Sequence, residues 1–99
     1  MKPTVGARLI STACATEVIV VRPPSEDVAL TCGGTPMAGA DGAHGELTEP
    51  EDGGTLVGKR YEHPASGLEL LCTKGGAGRL RIDDVPLDVK AAKNLPSSD

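Results

Sequence analysis

The same eight-residue frame occurs twice in this chain, fifty positions apart. It occupies residues 30–37 and returns at residues 80–87. In both copies a strand candidate is followed by a pair of polar or glycine residues suited to a tight turn. A proline and a large apolar residue then bring the chain back towards the core. The frame predicts two copies of one β-hairpin unit, and a repeat constrains the fold more strongly than local propensity does.

A second correspondence extends this repeat upstream. The Glu-led apolar run at residues 17–20 is matched by residues 69–72, and Cys14 is matched by Ser66, all at an offset of fifty-two. The first copy is therefore two residues longer, and the difference falls in the turns, where insertions cost least. Chance similarity of short apolar patterns is the alternative interpretation.

The composition indicates one small all-β domain with a modest core. The chain has 99 residues and contains no Phe or Trp, so neither half has enough apolar residues to bury a core alone. We therefore expect an all-β fold in which two pseudo-repeats share one aliphatic core. The expected divisions are a first β-hairpin unit over residues 1–37, a Gly-rich acidic linker over 38–54, a second unit over 55–90 and an irregular tail over 91–99.

Short β-branched and aliphatic runs place the expected strands. The clearest run covers residues 17–21, and the two prolines after it suggest that residues 28–32 return antiparallel to it as a hairpin. Further strands are expected near residues 7–12, 55–61, 68–73 and 79–82.

Charge and hydropathy exclude two classes of partner. The formal net charge is -4 and Tyr61 is the single aromatic residue, whereas nucleic-acid binding calls for a basic stripe and often for stacking rings. No apolar stretch approaches the length of a signal-peptide core or a bilayer span. We therefore expect a soluble, cytoplasmic protein that binds neither nucleic acid nor membrane. In that compartment the three cysteines would be thiols or metal ligands.

Two further features have a structural and a functional interpretation. The glycine-rich residues 74–78 predict a turn. A phosphate-binding loop is less favoured there, because the run lacks a Gly-Lys-Ser/Thr ending and a following helix. His44 lies in the expected linker, where a lone histidine is more often solvated than a ligand.

The second unit resembles the small desulforedoxin module of rubredoxin-like proteins. That module opens on Tyr-x-Cys-x-x-Cys-Gly and closes on Gly-x-Gly-x-Leu-x-Cys-Cys-Gly-x-x-Met. The matching spacing here, without a gap, is Tyr61-x-His63-x-x-Ser66-Gly67 and Gly76-x-Gly78-x-Leu80-x-Ile82-Asp83-x-x-x-Leu87. In the first unit, Cys14 resembles the second cysteine of the opening, and Leu30-x-Cys32-x-Gly34-x-x-Met37 resembles the close. The resemblance covers about half of the chain.

The resemblance implies a tetrahedral iron site of four thiolates on two facing turns, a geometry that sulfur ligands also support for zinc. Here the equivalent positions hold Ser11, Cys14, Cys32 and Gly33 in the first unit, and His63, Ser66, Ile82 and Asp83 in the second. Neither unit has four thiolates, so the family's electron-transfer role is not carried over. Members of this family pair as dimers, and two fused copies would pair in the same way within one chain.

Three roles remain open for the thiols. In the first role, all three cysteines are small buried hydrophobic residues: Cys14, Cys32 and Cys72. In the second, Cys14 and Cys32 close a zinc site with Cys72 or His63 as further ligands. In the third, Cys14 and Cys32 form a reversible disulfide in place of the metal. The resemblance places these two cysteines on adjacent turns, with Cα atoms within roughly 7 Å.

The leading functional hypothesis is a non-catalytic accessory protein that needs no cofactor and binds a protein partner or itself. The competing hypothesis is a zinc-binding or thiol-redox protein in which Cys14 and Cys32 act as a pair. An enzyme that uses Cys72 or Cys32 with His63 as its base is less favoured, because a small chain poor in aromatic residues offers little to enclose a substrate.

Overall fold

The computed structural model describes residues 2–39, 42–45 and 54–90, and these residues form strands and turns without a helix. The all-β class is therefore confirmed, and none of the described residues belongs to a helix able to span a membrane. The strands are β1 (Arg8–Ile10), β2 (Glu17–Arg22), β3 (Leu30–Cys32), β4 (Thr35–Pro36), β5 (Ala38–Gly39), β6 (Arg60–His63), β7 (Leu68–Lys74), β8 (Leu80–Ile82), β9 (Val85–Pro86) and β10 (Asp88–Lys90).

The strands form two antiparallel sheets. The larger sheet has the order β10-β6-β7-β2-β1-β5 and the smaller has the order β4-β3-β8-β9. Strands five places apart in chain order, such as β1 and β6 or β3 and β8, hold equivalent positions on opposite sides of the centre of their sheet. Each sheet is therefore symmetric about its central pair of strands. The central pairs β2–β7 and β3–β8 each join one half of the chain to the other.

Several backbone hydrogen bonds recur at the offsets seen in the sequence. At an offset of fifty-two, the bond from Gly6 N to Val20 O (2.8 Å) is matched by the bond from Gly58 N to Cys72 O (2.8 Å). At an offset of fifty, the bond from Met37 N to Leu30 O (3.2 Å) is matched by the bond from Leu87 N to Leu80 O (3.0 Å). The local backbone geometry is thus alike in the two halves at these positions.

Each frame contains a two-residue turn in which both residues have positive φ. The φ values are 67° and 87° at Gly33 and Gly34, and 52° and 65° at Asp83 and Asp84. Such turns match the twist of the flanking strands and therefore close tight hairpins. Proline follows at the edge strands β4 and β9, where its missing N–H costs no sheet hydrogen bond.

The core is a single aliphatic cluster that draws on both sheets and both halves. Alternate residues of the central strands point inward, and Val18 and Leu70 are fully buried. The cluster comprises Leu9, Cys14, Val18, Val20, Val28, Leu30, Cys32, Met37, Tyr61, Leu68, Leu70, Cys72, Leu80, Ile82 and Leu87.

Two strand predictions were wrong. The expected hairpin between residues 17–21 and 28–32 does not form, because β2 and β3 lie in different sheets. Residues 23–29, which include two prolines, lie outside the strands and carry the chain between the sheets. The strand expected over 55–61 begins only at Arg60, since Gly58 adopts a φ of 83° in a turn and Thr55 forms an isolated bridge with Gly76.

Part of the expected linker belongs to the folded structure. The β5 strand pairs with β1, and Gly42 N donates to Gly39 O at 2.9 Å. The rest of that linker (residues 40–41 and 46–53) and the expected tail (91–99) lie outside the described residues.

Candidate functional site: a buried cysteine pair

Cys14 and Cys32 lie side by side inside the fold. Their Sγ atoms are 3.8 Å apart, and the two residues are 3% and 0% exposed. Cys14 lies in the bend between β1 and β2, and Cys32 is the last residue of β3. The structure therefore brings together the two cysteines that the competing hypothesis treats as a pair.

Ser11 shapes the bend that turns Cys14 inward. Its Oγ accepts hydrogen bonds from the backbone N–H groups of Ala13 (3.0 Å) and Cys14 (3.1 Å), and its own N–H donates to Thr16 O at 2.9 Å. A serine side chain that binds backbone groups two and three residues ahead stabilises a tight turn. Local hydrogen bonds to Ser11 thus define the bend, and the thiol of Cys14 in this bend faces the core.

Polar groups from both halves of the chain surround the Cys14 sulfur. The hydroxyl oxygens of Thr16 and Ser11 lie 3.2 Å and 3.4 Å from Sγ. The backbone N–H of Gly78, in the second half, donates to Sγ over 3.3 Å. These groups are able to hydrogen-bond a negatively charged sulfur.

The two thiols differ in acidity. Burial acts to raise the pKa of Cys14, but hydrogen bonds from the Ser11 and Thr16 hydroxyls and from the backbone N–H groups of Thr16 and Gly78 outweigh it and lower the pKa to about 7. Burial raises the pKa of Cys32 to about 11, and the charge of Cys14 adds to this rise, which hydrogen bonds with Ser11 and Thr16 partly oppose. At neutral pH a fraction of Cys14 is therefore thiolate, whereas Cys32 stays protonated.

The glycine-rich residues 74–78 cover this site. A Cβ added at Gly78 would lie 2.8 Å from Gly33 N and 3.1 Å from Cys14 Sγ, and one added at Gly76 would lie 2.9 Å from the same sulfur. No side chain fits at either position without a shift. The predicted turn over residues 74–78 is only partly observed, because Lys74 ends β7, Gly76 bridges to Thr55, and a bend follows before β8. The phosphate-loop alternative would need a helix there.

His44 is hydrogen-bonded at the outer side of the same bend, where the sequence favoured a solvated side chain. Its Nδ1 lies 2.9 Å from Cys14 O and 3.2 Å from Ser11 O. Its Nε2 lies 3.0 Å from Glu17 Oε2. Hydrogen bonds to the Cys14 carbonyl and to Glu17, followed by the Glu17 charge, raise the pKa of His44. The side chain of His44 thereby links residues 42–45 to the backbone of Ser11 and Cys14 by hydrogen bonds.

The other expected zinc ligands, Cys72 and His63, have hydrogen-bond partners outside the pair. Cys72 pairs with Val18 across the central strands, and its Sγ donates to Lys74 O at 3.3 Å. Burial raises its pKa, and the charge of Cys14 adds to the rise. Among residues 2–39, 42–45 and 54–90, no three His, Cys, Asp or Glu side chains are grouped as a metal site.

His63 lies at the turn between β6 and β7, where its Nδ1 is 2.8 Å from Ser66 Oγ. It pairs with Leu68, which is four residues from Cys72 along β7. At the rise of an extended strand this separation is about 13 Å. The structure therefore does not join His63 to Cys72 as a base and a nucleophile.

The sequence predictions missed three contributors to the site: Ser11 and Thr16 as hydroxyl partners of Cys14, and Gly78 as an amide donor. The Ser-x-x-Cys-x-Thr pattern was a usable signal, because it places both hydroxyls next to one thiol. The Gly78 contact joins residues 64 positions apart, and no local pattern indicates it.

Comparison of the chain with protein-family models, with curated proteins and with solved structures found no match. The resemblance to rubredoxin-like modules therefore stays a prediction, and any functional assignment has to come from the geometry of the cysteine pair.

Proposed function

We propose that this chain is a non-catalytic thiol-redox protein in which Cys14 and Cys32 interconvert between a dithiol and a disulfide. The observation that carries the proposal is the 3.8 Å separation of their Sγ atoms. A disulfide bond is about 2.05 Å long, so each sulfur has to move by only about 0.9 Å. Oxidation removes two electrons and two protons, and reduction restores them.

The expected compartment and the length of the loop between the two cysteines both suit a dithiol–disulfide switch. In the reducing cytoplasm expected for this chain, the resting form is the dithiol. A bond between residues 14 and 32 would close a loop of a length for which cross-linking contributes about 3 kcal/mol of stability. The disulfide form should therefore unfold at a higher temperature than the dithiol form.

We also infer that the scaffold arose from two copies of a rubredoxin-like unit. The recurring backbone hydrogen bonds at offsets of fifty-two and fifty support this origin, as do the matching turns at residues 33–34 and 83–84. On this view Cys14 and Cys32 keep two ligand positions of an ancestral metal site. A dithiol has replaced the four-thiolate centre.

The experiment is equilibration of the protein with mixtures of reduced and oxidised dithiothreitol, in mild denaturant that transiently opens the fold so that the reagent reaches both thiols, followed by intact mass and peptide mapping. We expect a loss of two hydrogens and a Cys14–Cys32 cross-link. Cys14→Ser and Cys32→Ser should abolish the loss, while Cys72→Val should leave it unchanged. A cross-link to Cys72, or no loss at any ratio, would overturn the proposal. A native mass that retains zinc, with a lower melting temperature in chelator, would instead favour the metal alternative.

Protein binding is a second candidate function, favoured by one row of residues on the outer face of the larger sheet. The strand register places Ile19 beside Leu71, with Arg8 and Arg60 on either side. Val21, further along β2, is 37% exposed. An apolar strip flanked by Arg8 on one side and by Arg60, which is ion-paired with Glu69, on the other fits a partner with aliphatic side chains and a carboxylate beside Arg8. A second copy of this face would bring arginines together, so self-association here is disfavoured.

Its test is binding of a defined acidic, leucine-containing peptide, measured by calorimetry. Ile19→Glu should abolish binding, and Arg8→Glu should weaken it and reduce its dependence on salt. Equal binding by the wild type and Ile19→Glu would contradict this second proposal.

A further inference from the structure

The cysteine pair is enclosed tightly enough to select its oxidant by size. Cys14 is 3% exposed and Cys32 is 0% exposed. Even a single added carbon at Gly76 or Gly78 would come within 2.9 Å or 3.1 Å of the Cys14 sulfur. A protein or glutathione disulfide must present a sulfur in line with the attacking thiolate. Such a molecule would have to displace more of the glycine-rich cover than an oxidant near the size of water would.

The donors around Cys14 suit an oxygen atom on that sulfur. Thr16 and Ser11 present hydroxyls at 3.2 Å and 3.4 Å, and Gly78 presents an N–H at 3.3 Å. Cys32 is the neighbouring thiol, at 3.8 Å. In the dithiol form the Cys14 thiol donates to Ser11 Oγ and its sulfur accepts from the Gly78 N–H. Polar groups thus surround this sulfur, while the Cys32 sulfur is placed to attack it.

Resting on the proposed dithiol function, we propose that hydrogen peroxide is the oxidant, that Cys14 is the sulfur it oxidises first, and that Cys32 resolves the product. The site would then sense a small hydroperoxide and would not exchange directly with protein disulfides.

Hydrogen peroxide oxidises the pair in two steps. The Cys14 thiolate attacks one peroxide oxygen, an S–O bond forms, the O–O bond breaks, and the departing hydroxide takes the proton of the Cys32 thiol to give water. The Cys32 thiolate then attacks the Cys14 sulfenic acid, and an S–S bond forms as hydroxide leaves. Two sulfurs lose two electrons in total, and the two peroxide oxygens gain them.

The acidities of the two thiols agree with this order. The pKa of Cys14, lowered to about 7, gives a thiolate fraction at neutral pH. The pKa of Cys32, raised to about 11, keeps its proton in place until hydroxide takes it. The reverse order would require the less acidic thiol to ionise first.

The kinetic experiment compares peroxides of two sizes on the full chain carrying Cys72→Val. Hydrogen peroxide should form the Cys14–Cys32 disulfide at least roughly tenfold faster than tert-butyl hydroperoxide, and its rate should rise with pH to a plateau with a midpoint near the Cys14 pKa of about 7. Thr16→Val should shift that midpoint upward and slow the reaction at pH 6.5 by roughly threefold to tenfold, because it removes a hydrogen bond to the thiolate. Equal rates for the two peroxides would overturn the size selection.

Trapping identifies the first sulfur. Cys32→Ser in the same background is treated with peroxide and quenched into denaturant containing dimedone, and we expect the adduct at residue 14. Cys14→Ser should give no adduct at residue 32, and an adduct there would overturn the order. Should either serine variant fail to fold, the pH midpoint of the reaction on the intact pair decides the order, because the pKa is about 7 for Cys14 and about 11 for Cys32. Disulfide formation with dithiothreitol but not with peroxide would overturn this inference and leave the proposed function standing. A failure with both oxidants would overturn both.

Discussion

Asp84 occupies in the second hairpin the left-handed turn position that Gly34 occupies in the first. The φ angle is 65° at Asp84 and 87° at Gly34. Glycine adopts this region without steric cost, whereas a residue with a Cβ pays roughly 1–2 kcal/mol for it, although Asp tolerates it better than most. The two halves thus close the same turn at different conformational cost.

We therefore predict that Asp84→Gly stabilises the protein by about 0.5–1 kcal/mol. The matched control is Gly34→Asp, which should destabilise by a similar amount, because an added Cβ at Gly34 meets no atom within 4 Å and only the backbone conformation is altered. For a chain of this size, 1 kcal/mol corresponds to roughly 4–8 °C in Tm, which thermal melts followed by circular dichroism would resolve. A lower Tm for Asp84→Gly would contradict the prediction.

A second prediction concerns His44, which fastens residues 42–45 to the Cys14 bend. Its pKa is raised in the folded protein, so its protonation favours folding. This contribution is fully present below the unfolded-state pKa of 6.5 and is lost as the pH rises through the folded-state pKa. His44→Gln should therefore lower Tm by a few degrees at most near pH 5.5, and by less near pH 8.

Glu17→Gln is the control for this effect, because it removes the Nε2 ion pair and leaves the hydrogen bonds to the Ser11 and Cys14 carbonyls. It should reproduce only part of the pH dependence. Melting curves of the three proteins between pH 5 and pH 8 would check this, and parallel curves for His44→Gln and the wild type would rule out a stabilising role for the histidine.

The third prediction concerns the carboxylate of Glu69, which is 5% exposed as a residue and lies 3.3 Å from Arg60. Removal of the arginine leaves a buried charge without this partner. We expect Arg60→Met to destabilise by about 1–2 kcal/mol, a value reduced from the fully buried case because Arg60 itself is half exposed.

Arg8→Met is the matched control for Arg60, since Arg8 holds the corresponding place fifty-two residues earlier and is exposed. Its replacement should change stability by no more than about 0.5 kcal/mol. Urea unfolding of both variants gives the comparison. Equal losses would mean that the Arg60 side chain acts through packing on the strand and not through Glu69.

The sequence predicted the strands that alternate between core and solvent, and it predicted the turns that demand special backbone angles. The run at residues 17–21 falls within β2, and the two frames became the hairpins β3–β4 and β8–β9. The sequence did not predict which strands pair across the halves. Partners such as Ile19 and Leu71 lie far apart in the chain, and pairing over that distance depends on the whole apolar pattern and not on local residues.

The sequence predicted the site in part, as it did the fold. Cys14 and Cys32 could be paired through a resemblance that places them on facing turns. The part of the Cys14 acidity that comes from Ser11 and Thr16 was readable from the local pattern, whereas the smaller part from the backbone amide of Gly78 was not, because that residue is 64 positions away. His44 is exposed, as the sequence favoured, but its hydrogen bonds were not predicted, because its partners are mainly backbone carbonyls, which every residue has and no pattern marks.

The contact between Gly78 and Cys14 implies that part of the acidity of this cysteine depends on the second half of the chain, beside the larger contributions of Ser11 and Thr16 in the first half. Separation of the two halves would therefore remove the Gly78 amide from the sulfur and leave the hydroxyls of Ser11 and Thr16 beside it. The reactivity of Cys14 thus reports whether residues 76–78 are seated against the Cys14 bend.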